Sequence, residues 1–509
     1  MTDATAPAAS ASASNDYSEG YKQSVLWLLV VAYTFNFIDR TIISTIGQAI
    51  KVDLHLTDTE LGLLGGIAFA ALYTTLGIPI ARLAERWNRV NIIAIAIVIW
   101  SGFTALCGAA HSFWQLLLFR VGVGVGEAGL SPPAHSLISD YFAPQKRASA
   151  LAIYSFGIPL GGMFGAIAGG WIAQTFDWRW AFVVVGLPGV LIALALKVFV
   201  KEPVRGHSDA IARGVAPESV AVKPPPFSLG DEFKELGSVA GTLFGNWPVL
   251  NIVLGVTIAS FAWYGSGAFG APYFIRQFGL DLATVGLVFG LVGGFSAGLG
   301  TLLGGFVTDF LGKRSAAWYA IVPAIGLAIA TPIYIYAYLQ NDWRYAAAIL
   351  LIPGIFHYVY LGPTFGVVQN VVETRRRATA TALLFFFLNL LALGGGPPFT
   401  GWLIDQLAQF HFNSGERLST VAATMGTFFP SASEMGHPMS FIQACPGGVA
   451  PEGANAELAA DCAGASALAS RQGIIVTLAF YAWAAVHYLL GSIGLAKLMR
   501  ERAEANAAA

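Results

Sequence analysis

Apolar residues dominate the chain in long runs that short polar connections separate. Twelve runs reach about twenty residues, the length that a helix needs to cross the apolar core of a bilayer. We number them span 1 to span 12; they cover about 24–50, 58–83, 90–110, 113–140, 147–175, 178–200, 245–275, 282–310, 315–338, 343–371, 376–408 and 472–497. The pattern predicts an all-α membrane protein with twelve transmembrane helices.

Polar segments divide the twelve spans into two groups of six. The predicted organisation is, in chain order, a disordered N-terminal tail (1–20), an N-terminal six-helix bundle (21–200), a cytoplasmic linker (201–244), a C-terminal six-helix bundle (245–499) that includes an extracytoplasmic loop (409–470), and a C-terminal tail (500–509). Within the linker, Phe233, Leu236, Val239 and Ala240 recur at helical spacing among charged residues. This spacing predicts an amphipathic helix on the membrane surface.

The composition agrees with a membrane protein. Of 509 residues, 56% are hydrophobic and 11% are charged, whereas about a quarter are charged in soluble domains. The glycine-rich run from Gly157 to Gly162 follows no predicted strand and precedes no Gly-Lys-Ser/Thr, so it does not indicate ATP binding. The net charge of -1 gives no indication of a nucleic-acid partner. We predict a monomer in the bilayer, with no cofactor and no bound metal.

Basic residues are distributed unequally between the two sides of the predicted bundle. Twenty of the 28 lysines and arginines fall in the two tails and the even-numbered connections, six fall in the odd-numbered connections, and two lie within spans. Cytoplasmic loops carry the excess of basic residues in membrane proteins. The distribution therefore predicts cytoplasmic N- and C-termini, in the inner membrane of a cell.

Two cysteines, Cys445 and Cys462, share the long loop that this orientation places outside the cell. An oxidising compartment permits a disulfide between them. Two free thiols remain the alternative, because spacing does not decide the pairing.

The two halves of the chain repeat each other. Between spans 2 and 3, Ala81, Glu85 and Arg89 place a small residue, an acid and a base four residues apart, and Gly305, Asp309 and Lys313 restore that order 224 residues later. At an offset of 230, Pro133 matches Pro363. Two six-helix halves of the same orientation are typical of secondary transporters whose site lies between the halves near mid-membrane.

Three ionisable residues fall near the middle of predicted spans: Asp39 in span 1, and Arg120 and Glu127 in span 4. Seven residues separate Arg120 from Glu127, so both lie on one helix face about 10 Å apart. Charges at this depth indicate a functional site by default. Arg120 can bind a carboxylate or phosphate, and Asp39 and Glu127 can take up protons. A static Asp39–Arg120 ion pair, or a structural acid at Glu127, is the alternative.

The repeat extends the candidate site into the second half. The offset of 230 aligns Glu127 with His357, so the two titratable groups are predicted to face each other across the pseudo-twofold axis. The offset of 224 aligns Asp39 with Trp263, followed by Tyr264, which predicts an aromatic wall. Phe37 and Tyr358 extend the expected lining for an amphiphile with an anionic head group.

The connection between spans 2 and 3 resembles the G-x-x-x-D-R-x-G-R-[KR] motif of the major facilitator superfamily. Here Ala81 replaces the first glycine, Glu85 the aspartate and Asn88 the second glycine, while Arg86 and Arg89 are kept. The resemblance implies two parallel six-helix repeats and conformational locks at the cytoplasmic ends of the helices, formed by Glu85, Arg86, Arg89, Asp309 and Lys313. A topology signal with a turn is the alternative.

Within that superfamily the N-terminal half is similar to the Spinster branch. The matching segments are Asn36 to Arg40, Arg120 to Pro133 with Asp140, and Trp178 to Phe182. The resemblance implies alternating-access transport of lysophospholipids or sphingosine-phosphate-like lipids, coupled to protons. The alternatives are a symporter of small organic anions or sugars, a membrane enzyme that uses His135 or His357 as a base, and a receptor that does not transport.

Overall fold

The computed structural model describes residues 16–212, 215, 229–372, 376–414 and 440–508. Of these residues 86% are helical, and none lies in a strand. Most of the predicted N-terminal tail falls outside the described residues. The helices of spans 1 to 12 are Glu19–Asp53; Asp58–Gly65 with Ile67–Ala84; Arg89–Cys107; Phe113–Glu127 with Ser131–Tyr141; Pro144–Ser155 with Gly157–Thr175; Trp178–Phe199; Trp247–Phe278; Leu282–Gly312; Trp318–Tyr338; Trp343–Tyr358 with Leu361–Asn370; Arg377–Phe387 with Leu388–Leu393 and Gly394–Ser414; and Ala456–Ser492.

Eleven of the described spans are long and apolar enough to cross a membrane. Span 4 is not among them, and its two helices, of 15 and 11 residues, are separated between Glu127 and Ser131. Pro132 and Pro133 follow the break, and proline has no N–H to donate to the preceding turn. The break therefore falls directly after Glu127, one of the predicted site residues.

The helices form two halves, each with its own hydrophobic core. Buried side chains of spans 1–6 make one cluster and those of spans 7–12 make the other. Among the buried residues that the structure describes, Leu61 and Leu393 belong to the core of the opposite half. Two separate cores allow the halves to move relative to each other without disrupting the packing inside either half.

Chain direction defines two ends of the bundle. The end where span 1 begins and span 12 finishes is called the terminal side, and it carries the helix Leu495–Ala508. The opposite end, where span 1 finishes at Asp53, is called the far side. The linker helix Leu229–Phe244 buries Val239 and Leu243 in the C-terminal core, while the side chain of Phe233 lies outside the described part.

Span 5 of one half and span 8 of the other touch on the far side and separate toward the terminal side. Four glycines of span 8, spaced four residues apart, show how the distance to span 5 increases along the helix. A Cβ built at Gly286 would contact the Ala166 carbonyl oxygen of span 5; one at Gly290 would lie 2.8 Å from the Met163 oxygen, and one at Gly294 3.4 Å from Met163. At Gly298 no such atom lies within 4 Å. Spans 5 and 8 therefore diverge, and a space opens between the halves on the terminal side.

The far-side loop is partly formed by helix. Span 11 continues to Ser414 and span 12 begins at Ala456, so both helices extend into the range 409–470 that the apolar pattern assigns to a loop. The segment 440–449, called the strap, lies between them. Cys445 and Cys462 form a disulfide that attaches the strap to span 12.

Candidate functional site

Two neighbouring residues of span 1 form two separate ion pairs with span 4. The Arg120 guanidinium donates to Asp39 Oδ1 at 3.2 Å, and the Thr104 hydroxyl of span 3 donates to Asp39 Oδ2. Arg120 and Asp39 are each 1% exposed. A buried carboxylate is stable only when paired and hydrogen-bonded, and Asp39 meets both conditions.

The second pair joins Arg40 to Glu127. Arg40 Nε donates to Glu127 Oε2 at 2.6 Å, and the Glu127 side chain is fully buried while that of Arg40 is 18% exposed. The Arg40 guanidinium also lies 4.9, 4.7 and 4.4 Å from the ring centres of Phe37, Phe69 and Tyr73. A partly exposed arginine held by aromatic faces and one carboxylate is suited to bind an anion.

Sequence reasoning had assigned no role to Arg40. It identified Asp39, Arg120 and Glu127 from their depth, and Arg40 lies at the same depth, next to Asp39. Consecutive helical residues point about 100° apart, so the sequence did not indicate which of the two would face span 4. Both do, because an arginine side chain is long enough to reach back along its own helix.

His357 lies in the C-terminal half, within a cluster of aromatic rings. It is fully buried, its Nδ1 is 3.3 Å from the Tyr334 hydroxyl, and its ring centre is 4.3 Å from that of Tyr358 and 6.2 Å from that of Trp263. Tyr264 packs against Trp263 at 4.5 Å. Trp263, Tyr264 and Tyr358 are therefore brought together as an aromatic group. Glu127 accepts a hydrogen bond from Arg40, whereas His357 lies within hydrogen-bond distance of Tyr334.

The far side contains an ion cluster that sequence reasoning had missed. Asp58, at the start of span 2, binds Lys51 at 2.6 Å and the Arg276 guanidinium of span 7 with both oxygens, at 2.6 and 3.1 Å. Asp405 of span 11 accepts the backbone N–H groups of Asp58 and Thr59 at 2.9 and 2.8 Å. This far-side cluster joins residues of both halves, so it fastens them together.

The terminal side has its own polar network, which joins parts of a single half. Arg89 is fully buried and donates to Asp140 at 2.5 Å and to Glu202 at 2.6 Å, so it connects span 3, span 4 and the start of the linker. Glu85 pairs with Arg82 of its own helix at 3.1 Å. In span 8, Asp309 accepts from the Tyr319 hydroxyl at 3.1 Å. Of the predicted lock residues, Arg86 and Lys313 lie in the same two connections.

The strap lies against the end of span 1. A Cβ built at Gly447 would be 2.9 Å from the Lys51 carbonyl oxygen, and one at Gly448 would be 3.1 Å from Lys51 Nζ. Both glycines have positive φ, 69° and 81°, which other residues rarely adopt. The strap therefore covers the lysine that holds Asp58.

We expect removal of the disulfide to weaken this cover. Replacing Cys445 and Cys462 with serine removes a crosslink between residues 17 positions apart in the sequence. Disulfides of this kind contribute about 2–4 kcal/mol to the free energy of unfolding. The measurement is the thermal unfolding temperature of the purified protein, which should fall. Adding reductant to the unmodified protein should lower its unfolding temperature by the same amount as the double substitution, and reductant should not change that of the double serine variant. Equal unfolding temperatures in all samples would contradict the prediction.

An all-helical bundle of two halves, with charge pairs buried between its spans and a space open at one side, defines a multi-pass membrane transporter. The model of the Major Facilitator Superfamily matches residues 29–397. The chain belongs to this superfamily and, within it, to the Spinster branch. The predicted fold is thereby confirmed, and the protein is a transporter and not an enzyme.

Three comparisons describe its relatives. An MFS-type efflux pump of Mycolicibacterium smegmatis is 31% identical over 75% of this chain and 84% of its own length. Protein spinster of Drosophila melanogaster is 28% identical, over 80% of this chain and 67% of its own. The crystal structure of a bacterial homolog to the human lysosomal transporter Spinster, inward-facing and unoccupied, matches with a TM-score of 0.76 and 32% identity, covering 95% of this chain and 99% of that one.

Proposed function

We propose that this protein is a secondary transporter that moves an amphiphilic lipid with an anionic head group, of the lysophospholipid or sphingosine-phosphate type, by alternating access coupled to protons. The observation that carries the proposal is the double ion pair Asp39–Arg120 and Arg40–Glu127, buried at mid-membrane beside aromatic rings. Each arginine is paired with a carboxylate. A substrate anion can take the place of that carboxylate, and a proton can neutralise it.

The exposure of the two arginines suggests an order of events. Arg40 keeps exposed surface, so a head group contacts it first and competes with Glu127. Arg120 is enclosed by Asp39, and it becomes available when Asp39 takes up a proton. Binding and protonation then favour each other, since both remove the attraction that holds the same helices together.

Apolar side chains exposed on the terminal half of span 8 favour a lipid substrate. Leu302, Phe306 and Phe310, on the terminal half of span 8 where spans 5 and 8 diverge, are 61%, 72% and 64% exposed. A hydrocarbon tail can leave the space between the helices and extend into the bilayer. The alternative substrate class, small organic anions or sugars, would use the same arginines but gains nothing from this apolar opening.

We propose inner-membrane localisation with cytoplasmic termini, from the distribution of basic residues. The structure then represents the form open to the cytoplasm, because the terminal side is open and the far-side cluster is closed. Glu85 and Asp309, which have partners within their own halves here, are proposed to contact the opposite set of helices in the outward-open form.

Transport by reconstituted vesicles tests the proposal. We expect uptake of fluorescent lysophosphatidylcholine or sphingosine phosphate to respond to an imposed pH gradient, and Asp39→Asn and Glu127→Gln to remove that response, because an amide does not exchange a proton. Glu457→Gln, on the exposed first turn of span 12, is the control and should behave as the unmodified protein. Transport of glucuronate without lipid transport would favour the alternative.

A further inference from the structure

A buried amide without partners lies between the two ion pairs. Asn36 of span 1 is 1% exposed, and neither its side-chain nitrogen nor its oxygen has a hydrogen-bond partner among the described residues. Leaving such groups unsatisfied in an apolar interior is unfavourable, because they lose their hydrogen bonds to water and gain none. Buried amides in folded proteins are therefore satisfied by protein groups or by ordered water.

Helix geometry fixes the position of Asn36 relative to the pairs. Viewed along span 1, Arg40 points about 40° to one side of Asn36 and Asp39 about 60° to the other. Asp39 binds Arg120 and Arg40 binds Glu127, both on span 4. Asn36 therefore faces span 4 between the two pairs, about one turn nearer the terminal side than Asp39.

Span 4 presents further unpartnered atoms to the same region. Glu127 Oε1 and Arg120 Nε are buried and have no hydrogen-bond partner among the described residues. Span 4 runs toward the terminal side, so Glu127 lies about 10 Å beyond Arg120 in that direction, and the level of Asn36 falls between them. Four unpartnered polar atoms thus surround one stretch of the interface between spans 1 and 4.

We infer that one or more ordered waters occupy this stretch, held by the Asn36 amide, and that they form a proton relay between Asp39 and Glu127. Water fits these atoms because the Asn36 nitrogen and Arg120 Nε are donors, whereas the Asn36 oxygen and Glu127 Oε1 are acceptors, and a water both donates and accepts. Asn36 acts as a positioning residue. The inference rests on the proposed proton coupling.

The relay transfers one proton and leaves both arginines charged. The protonated Asp39 carboxyl gives its proton to the adjacent water, and the water chain passes a proton of its own to Glu127 Oε1. Asp39 is then a carboxylate that binds Arg120, while neutral Glu127 releases Arg40. The other titratable groups near these charges are four tyrosines and one cysteine, Tyr33, Tyr73, Tyr154, Tyr264 and Cys107, and His135 packs against Tyr154. A phenol or a thiol is a far weaker acid than a carboxylic acid, so we assign the mobile proton to Asp39 and Glu127.

Replacement of Asn36 separates a relay from a purely structural role. In vesicles with fluorescent lysophosphatidylcholine, Asn36→Leu should lower the maximal rate of uptake driven by a pH gradient about tenfold or more, with KM and lipid exchange at equal pH unchanged. Asn36→Ser, which keeps a polar group and leaves room for a further water, should restore most of the rate. Equal losses of driven uptake and exchange, or no loss of either, would overturn the relay.

A matched control and a direct observation complete the test. Asn251 of span 7 is also buried, but its side-chain nitrogen donates to the Trp247 carbonyl oxygen and its Oδ1 accepts from His487 Nδ1. Asn251→Leu should therefore not change the ratio of driven uptake to exchange. Electron cryomicroscopy of the unmodified protein, at a resolution that shows waters elsewhere, should show water on Asn36. A dry interface would overturn the inference, whatever the variants do.

The two proposals fail in different ways. If uptake by the unmodified protein does not respond to a pH gradient, the proposed proton coupling fails and the relay fails with it. If the unmodified protein responds and Asn36→Leu responds equally, only the relay fails.

Discussion

Replacing Asp58 with asparagine is expected to open the far side of the protein. The Asp58 carboxylate binds Lys51 and Arg276, and all three side chains are at least 96% buried. Removing one partner of a buried ion pair costs about 3–5 kcal/mol, because a charge is left unpaired. Here the cost falls on the far-side-closed form alone, so the equilibrium between forms should shift about a hundredfold or more toward the open one.

The distance between the halves on the far side measures this shift. Spin labels at His111→Cys in the N-terminal half and Asn341→Cys in the C-terminal half, both exposed far-side positions, should move apart in the Asp58→Asn variant. Asp281→Asn is the matched control, because Asp281 caps its own helix at Thr284 and asparagine is an equally good cap. An unchanged distance distribution in Asp58→Asn would show that the far-side cluster does not hold the halves together.

Arg40→Met should abolish transport and also destabilise the protein. The substitution leaves the fully buried Glu127 without the arginine that it contacts at 2.6 Å, and an unpaired buried charge costs about 3–5 kcal/mol. It also removes the only partly exposed cation among the four central charges. We expect a lower unfolding temperature together with loss of uptake of fluorescent lysophosphatidylcholine.

A double substitution separates these two effects. In Arg40→Met with Glu127→Leu both charges are gone, and replacing a whole buried pair with apolar residues is often neutral for stability. The unfolding temperature should therefore recover while transport remains absent. Arg40→Lys keeps the charge but loses the planar contacts to Phe37, Phe69 and Tyr73, so weak transport is expected. Full transport in the double variant would contradict a role for Arg40 in binding substrate.

The far-side cluster and the central ion pairs share one helix, span 1. Lys51 of the cluster and Asp39 of the first central pair lie on the same helix, Glu19–Asp53. A rotation of the halves that separates Asp58 from Arg276 therefore also moves Asp39 and Arg40 relative to the aromatic group around Trp263. One helix thus connects the far-side cluster with the central charges, which is the connection that the proposed alternating access needs.

The class of protein, the spans and the depth of the central charges could all be predicted from the amino-acid sequence. Length and hydropathy are local properties of a chain, and a helix that crosses a bilayer must satisfy its own backbone hydrogen bonds. Asp39, Arg120 and Glu127 could be identified because any charge at that depth is exceptional. The repeat of Ala81, Glu85 and Arg89 in the second half indicated two parallel halves, because a repeat is visible in the sequence without knowledge of any contact.

Which charged groups contact each other could not be predicted without the packing of the helices. Whether Arg40 or Arg120 pairs with Glu127 depends on the rotation of each helix about its axis and on side-chain reach, which the apolar pattern leaves open. The far-side cluster joins Asp58 to Arg276 and Asp405, which lie hundreds of residues away from it in the chain. His357 Nδ1 lies 3.3 Å from the Tyr334 hydroxyl, on the preceding span. Such contacts depend on how each packed helix is rotated about its axis and how far it is shifted along that axis. A shift of one turn changes the partner of every side chain on the helix.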